Sequence, residues 1–194
     1  MLVEPVGALI EPVSLGELKA YLRLETGDED ALLAGLLRSA RATCEAFTRT
    51  WLVQRGAVET VAARMVQWSG PGMPPMGVPL GARLAGVPVV AIATVEALYP
   101  DGTSAVLAPG AYVATYDVDQ AVWVATSDQN AQRLRVTYSA GLSASWNGTP
   151  EPLRQGIVRL AAHLFANRDA GDEAGPPAVV AALWRPFRRM RLGA

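Results

Sequence analysis

Helical periodicity marks both ends of this chain and is missing from its middle, a division that limits the fold more than any other feature. Near the start, Ser14-Leu15-Gly16-Glu17 reads as a capping box. In that motif the Ser14 hydroxyl and the Glu17 carboxylate satisfy backbone N–H groups that a helix start leaves unpaired. Leu15, Leu18 and Leu22 then share one face, and Gly27 is expected to end the helix. A second helix is predicted from the acidic cluster Asp28-Glu29-Asp30, which suits the positive end of a helix dipole, to Thr50. Its stripe is Leu33, Leu37, Ala40, Cys44, Phe47 and Trp51, with Arg41, Glu45 and Arg49 on the other side. A third helix opens at Pro150 and ends near Arg168, striped by Leu153, Ile157, Leu160 and Leu164.

From Leu52 to Gly141 the texture is different. β-Branched residues and tyrosines rise while Gly and Pro punctuate. Val87–Tyr99 is expected to be a strand, with Pro100-Asp101-Gly102 turning into another near Ala105–Leu107. Tyr112–Tyr116 and Ala121–Ala125 flank a second turn at Asp117–Gln120. Arg133–Tyr138 alternates, placing Leu134, Val136 and Tyr138 on one face, the mark of a half-buried strand. The stretch 69–77, Ser-Gly-Pro-Gly-Met-Pro-Pro-Met-Gly, reads as an exposed loop.

The expected fold is α+β: a small helical bundle formed by both chain ends, an inserted antiparallel β-rich block and an extended C-terminal arm. Residues 1–51 supply the N-terminal helices, 52–141 the β-rich insertion, 142–176 the third long helix and 177–194 the arm. At 194 residues the chain is long enough to bury a core without metals or disulfides. Its net charge of −1 gives no bulk attraction to nucleic acid or a membrane surface. Charged residues are only 18%, low enough to suggest a surface covered by partners. No apolar run is long enough to cross a membrane, and the opening MLVEPVGALIEP reads as neither a secretory signal nor a transit peptide.

Catalytic patterns are missing from the sequence. It has no phosphate-binding glycine loop, no H-E-x-x-H and no nucleophile elbow. One cysteine and one histidine exclude disulfides and multi-thiolate or His-rich metal sites, so no metal and no cofactor is expected. Cys44 lies in an apolar stripe and reads as a buried, inert thiol; His163 edges another and reads as structural. Glu25, Asp28, Glu29 and Asp30 lack the oxygen spacing of a calcium loop and read as helix-capping charge. The tail concentrates Arg185, Arg188, Arg189 and Arg191 around Trp184 and Phe187. The residues alone leave two readings of it: a solvated terminus, or a docking arm built from side chains enriched at interface hot spots.

Three stretches resemble the head–tail connector, or adaptor, proteins of tailed bacteriophages. The first runs from Val13-Ser14-Leu15-Gly16-Glu17-Leu18-Lys19-Ala20-Tyr21-Leu22-Arg23-Leu24 through Asp28–Leu33 to Ala40-Arg41-Ala42-Thr43-Cys44-Glu45-Ala46-Phe47-Thr48. The second is Val136-Thr137-Tyr138-Ser139-Ala140-Gly141. The third is Pro150–Arg168, with Leu153-Arg154-Gln155 and Ala161-Ala162-His163-Leu164-Phe165-Ala166-Asn167-Arg168, closed by Pro177–Arg188. Their order around a β insertion is similar to the long form of the family, found in phages and phage-like gene transfer agents.

The resemblance implies a non-enzymatic structural protein made in the bacterial cytoplasm and placed at the neck of a particle. It implies a ring, commonly of twelve copies, beneath the portal protein, extending the DNA channel and offering a platform to a stopper or other tail-side connector. DNA would pass without specific binding, and no membrane is involved. The arm, through Trp184, Arg185, Phe187, Arg188, Arg189 and Arg191, is expected to contact the portal, ordering as it binds. The helical core is expected to comprise Leu18, Leu22, Leu33, Leu37, Phe47, Leu153, Ile157, Leu160 and Leu164. Two alternatives stand beside it: a carbohydrate- or peptide-binding β module using Trp123, Trp146 and Tyr112, and a hydrolase or transferase, for which no acid/base pair is evident.

Overall fold

The computed structural model describes residues 2–6, 13–62, 64–65, 80–117, 121–167 and 175–189. In chain order the elements are β1 (Leu2–Val6), α1 (Leu15–Leu22), α2 (Asp30–Thr48), β2 (Arg55–Ala62), β3 (Arg64–Met65), β4 (Leu80–Arg83) and β5 (Val89–Leu98). There follow β6 (Ser104–Val106), β7 (Tyr112–Tyr116), β8 (Val122–Thr126), β9 (Arg133–Ala140), α3 (Glu151–Ala166) and α4 (Ala178–Trp184). The chain divides into two compact units. One comprises Met1–Leu9 with Gln54–Gly141, the other Ile10–Val53 with Leu142–Ala194. The loop at 69–77 lies outside the described residues, as do positions 118–120 of the second turn.

In the helical unit, the Ser14–Glu17 capping box is formed in both directions. Helix α1 stops at Leu22, well short of Gly27. Arg23 takes the left-handed conformation at φ 58°, and its N–H and that of Leu24 reach back to Ala20 O and Lys19 O. Helix α2 ends in the same way, at Arg49 with φ 56°. Arg41, expected on the polar side of α2, is instead buried, so the covered face of α2 is wider than its leucine stripe. Leu18, Leu33, Leu37, Leu153, Ile157 and Leu160 are buried in one cluster, with Leu22, Phe47 and Leu164 partly buried against it. Leu142 N–H donates to Trp51 O and Ser143 N–H to Leu52 O, so the strands of chain leaving and re-entering this unit are bonded to each other.

The β unit holds a five-stranded sheet ordered β1-β2-β9-β5-β6 and a four-stranded sheet ordered β3-β4-β8-β7, with every pairing antiparallel. The alternation read in Arg133–Tyr138 is realised: Leu134, Val136 and Tyr138 are all buried. Strands β1, β2 and β4 were not separately legible in the sequence; β2 pairs with β9 from Arg55↔Ala140 to Ala62↔Arg133. Its inward positions are Ala57, Glu59 and Val61, which places a carboxylate in the core. Glu59 Oε2 accepts from Tyr138 Oη at 2.8 Å and from the Ala85 N–H at 2.9 Å, while the Gly86 N–H donates to Tyr138 Oη at 3.0 Å. These bonds clamp the segment that carries the chain from β4 in one sheet to β5 in the other. Burial, and next the Glu59 charge, push the Tyr138 phenol well above its ordinary pKa, so Tyr138 stays a donor.

Tyr138→Phe removes the donor to Glu59 and the acceptor of Gly86 together, leaving both buried groups short of a partner. We expect a loss of about 1–3 kcal/mol in urea unfolding; an unchanged midpoint would show that the clamp contributes no net stability.

Candidate functional site

The C-terminal segment is seated on its own helical unit as far as Arg189. Helix α4 opens after Pro177 and buries Val180 and Trp184. Trp184, expected to contact a partner, is fully buried. Its indole N–H donates to Leu153 O at 3.4 Å, and its ring lies 5.8 Å from that of Phe47. The slot it fills exists because residue 156, in the middle of α3, is glycine. A Cβ at that position would lie 2.7 Å from Trp184 Cε2 and closer still to Nε1. Glycine inside a helix costs about 1 kcal/mol relative to alanine, and close approach of the indole accounts for its presence here.

Beyond Trp184 the chain makes a 3-10 turn over Arg185–Phe187. Arg185 and Arg188 are exposed, and the Arg188 guanidinium lies over the Phe47 ring at 5.4 Å. Arg189 N–H donates to Thr48 O at the end of α2, where a helix leaves carbonyls unpaired. Phe187 and Arg189 are half-buried, and Arg191 lies outside the described residues. Of the six residues proposed for the arm from sequence, the fold therefore presents Arg185 and Arg188 outward and turns Trp184 into an anchor.

A second surface is a cleft of about 380 Å³ between α1 and α3, lined by Glu17, Tyr21, Glu151, Arg154, Gln155, Val158 and Arg159. Arg154 organises it. Its guanidinium contacts Glu17 at 2.8 Å and Glu151 at 3.4 Å and stacks over Trp146 at 4.7 Å. The Arg154–Glu17 ion pair ties α3 to α1, while the Glu151 contact lies within α3. Burial pushes the Glu17 carboxyl up, but hydrogen bonds from Ser14 and the Arg154 charge outweigh it and hold the group below its ordinary 4.5. No motif signals this hub; residues 17, 146 and 154 meet through the packing of α1 against α3 and the 3-10 turn at Trp146–Gly148 that precedes α3.

The remaining sequence candidates are structural in their contacts. Cys44 is buried and its thiol is pushed far above the ordinary range by burial. His163 is bonded to Asn167 one turn later. Among the described residues no group of three His, Cys, Asp or Glu side chains could hold a metal ion, and no helix is long and apolar enough to cross a membrane. Lys19 and Asp30 form an ion pair at 2.7 Å that ties α1 to the start of α2. Of the aromatics proposed for a binding platform, Trp123 and Tyr112 belong to the β unit and Trp146 to the helical unit, where it is occupied by Arg154.

No family model matches the chain, and no curated protein matches it. Solved structures do. A chain of the neck of an empty gene transfer agent particle, computed with sixfold symmetry, is 25% identical, covers 99% of this chain and 97% of its own length, and has a TM-score of 0.73. A chain of the virion of the native gene transfer agent particle is also 25% identical over 99% and 97%, with a TM-score of 0.71. The neck of the native particle, computed with twelvefold symmetry, shares the fold at 24% identity, 99% and 97% coverage and a TM-score of 0.73. This whole-chain likeness agrees with the head–tail connector resemblance carried by the helical ends.

Two outcomes test the geometry. Gly156→Ala should lower stability by about 1–3 kcal/mol through overpacking against Trp184, despite alanine's better helix propensity; a gain would mean that the indole does not occupy the slot. The Glu17 contribution should be present above pH 4.5 and lost as pH falls through the lower folded value. Glu17→Gln should therefore flatten the acid limb of stability, measured by thermal melts across that range.

Proposed function

We propose that this chain is a structural subunit of the neck of a phage-like particle, of the gene transfer agent kind, acting there as a head–tail adaptor. The observation that carries the reading is the extent of the likeness: 99% of this chain and 97% of the neck chain superpose, so both units are matched, not a shared helical motif alone. In this reading copies close into a ring of twelve beneath the portal protein. The sixfold and twelvefold symmetries of the neighbours' necks support a ring, and twelve copies are compatible with both. The ring lengthens the DNA channel and offers its far side to a stopper or other tail-side connector. A net charge of −1 suits a conduit that must not grip the DNA passing through it.

No catalytic step and no cofactor enters this function; the commitment of Glu17 and Glu151 to Arg154 supports a packing role for the cleft. Portal contact is assigned to Arg185 and Arg188 with Phe187 between them. Trp184 fixes their position from inside, and Arg189 ties the segment to α2.

The test is recovery of partners from cells that make particles, with the tagged chain as bait and mass spectrometry as readout. Truncating the arm would strip Trp184 from the core, so the informative variant is Arg185→Glu with Arg188→Glu, which leaves the anchor in place. Recovery of a portal-like protein by the unmodified chain, lost in the charge-reversed one, is the expected result. Equal recovery by both would move the contact elsewhere, and recovery of neither portal nor tail components would overturn the adaptor reading.

A further inference from the structure

Helix α4 packs one side against the core and leaves the other bare. Val180 and Trp184 are buried, whereas Val179 is 61% exposed and Ala182 is exposed as well. Pro186, four residues after Ala182, is also exposed, so Val179, Ala182 and Pro186 follow one another at helical spacing along the outer side. Single exposed apolar residues need no explanation, but an apolar stripe rimmed by charge marks a protein contact. Arg185 and Arg188 supply such a rim. The Arg188 N–H donates to Arg185 O at 3.1 Å, and residues three apart in a 3-10 turn share one side.

A third exposed arginine stands beside them. Arg49 closes α2 in the left-handed conformation, and the carbonyl just before it, Thr48 O, accepts the Arg189 N–H at 3.1 Å. The Arg188 guanidinium lies over Phe47, two residues before Arg49. Among the described residues Arg49, Arg185 and Arg188 form no ion pair. No Asp or Glu occurs from Gly175 to Arg189, and the acid in the last turn of α2, Glu45, accepts the Leu52 N–H on its Oε1 at 3.0 Å. This end of the helical unit therefore carries an excess of positive charge, and the balancing carboxylates must come from outside. Nucleic-acid phosphates would reward the arginines but not the apolar stripe beside them. A protein segment rewards both.

We propose that the outer side of α4 and the end of α2 make one composite docking surface, with Val179, Ala182 and Pro186 flanked by Arg185, Arg188 and Arg49, and that its occupant is an acidic amphipathic segment of the partner protein. Carboxylates of that segment meet the guanidiniums, whose planar forks take them bidentately. Its apolar residues cover Val179 and Ala182. The proposal rests on the portal contact assigned above and deepens it, naming the chemistry of the partner's segment and adding Arg49 and Val179 to the contact.

The test has two arms, both with the full chain in cells that make particles. In the first, Arg49→Glu and Val179→Asp are compared singly with the unmodified chain as bait. Each places a negative charge against an acidic partner and should lower recovery of the portal-like protein by about tenfold or more, with an unmoved melting temperature for the purified chain. Unchanged recovery with either substitution, where reversal of Arg185 and Arg188 abolishes it, would leave the portal contact standing and overturn the composite surface. No recovery by the unmodified chain would instead overturn the portal contact, and the composite surface with it. In the second arm, Arg49→Lys keeps the charge and adds an amine, and a zero-length carbodiimide joins that amine to any carboxylate in contact. Lys19, the chain's only lysine, is paired with Asp30 at the opposite end of α2 and is mapped separately. The expected product links position 49 to an Asp or Glu of the portal-like protein. Absence of any link, a link to a second copy of this chain, or DNA retained by the unmodified chain and lost with Arg49→Glu would each overturn the acidic partner segment.

Discussion

Helices α2 and α3 lie on opposite sides of the excursion from residue 54 to 141 in the sequence, and the apolar seam they share is the centre of the helical core. A flexible loop of that length would cost on the order of 4 kcal/mol in closure entropy before any contact formed. The β unit removes most of that cost by folding with its own ends paired. Arg55 stands opposite Ala140 in the β2–β9 ladder, so the excursion returns beside the point where it left. Within the helical unit, the bonds from Leu142 to Trp51 and from Ser143 to Leu52 meet the same requirement from the other side. Each unit therefore delivers the closure that the other needs, and the seam of leucines can form as if its helices were near neighbours in sequence.

Inside the β unit, register is the harder problem. Side chains alternate between faces, so a one-residue slip of β2 would bury Val58 and Thr60 and expose Ala57 and Val61. Glu59 raises the stakes. In the observed register its carboxylate meets a phenol and two successive backbone groups lie within the same network, while Oε1 has no partner among the described residues. Any other register leaves the charge buried with nothing or sends it to solvent and abandons Tyr138. The network therefore acts against wrong pairings at least as much as it adds to the right one, and it does so where the chain crosses between sheets.

What was legible in the sequence follows from period and length. Helices α2 and α3 repeat their apolar residues over several turns, and the capping box of α1 is a local device, so both could be read directly. Strand β9 alternates over the six residues Arg133–Tyr138, most of its observed eight, and is legible for the same reason. Strand β2 hid because a glutamate interrupts its inward row, and β1 because Pro5 and Glu4 break any apolar alternation over its five residues. The end of α1 was misplaced because an arginine, Arg23, and not a glycine takes the left-handed cap position. Trp184 was placed on a docking surface because tryptophan among arginines has the composition of an interface. Nothing short of the pairing with Gly156, far away in sequence, shows that its slot lies within the same chain.

That slot changes what the arginines can do. Ordering a free tail at an interface costs about 0.5–1.5 kcal/mol for each long side chain immobilised, in addition to the backbone. Here the backbone is already fixed through Trp184 and through the Arg189 N–H on Thr48, and Arg188 is held over Phe47, so most of that cost is met in folding. What remains exposed is charge at a defined place on the end of α2. An anchored pair of guanidiniums recognises an acidic or carbonyl-rich surface by position, and its contribution falls as salt screens it. A tail that ordered only on binding would bury its tryptophan in the partner and depend on apolar area instead. The two modes differ in their response to salt, and with Trp184 buried within its own chain the docking proposed for Arg185 and Arg188 is of the first kind.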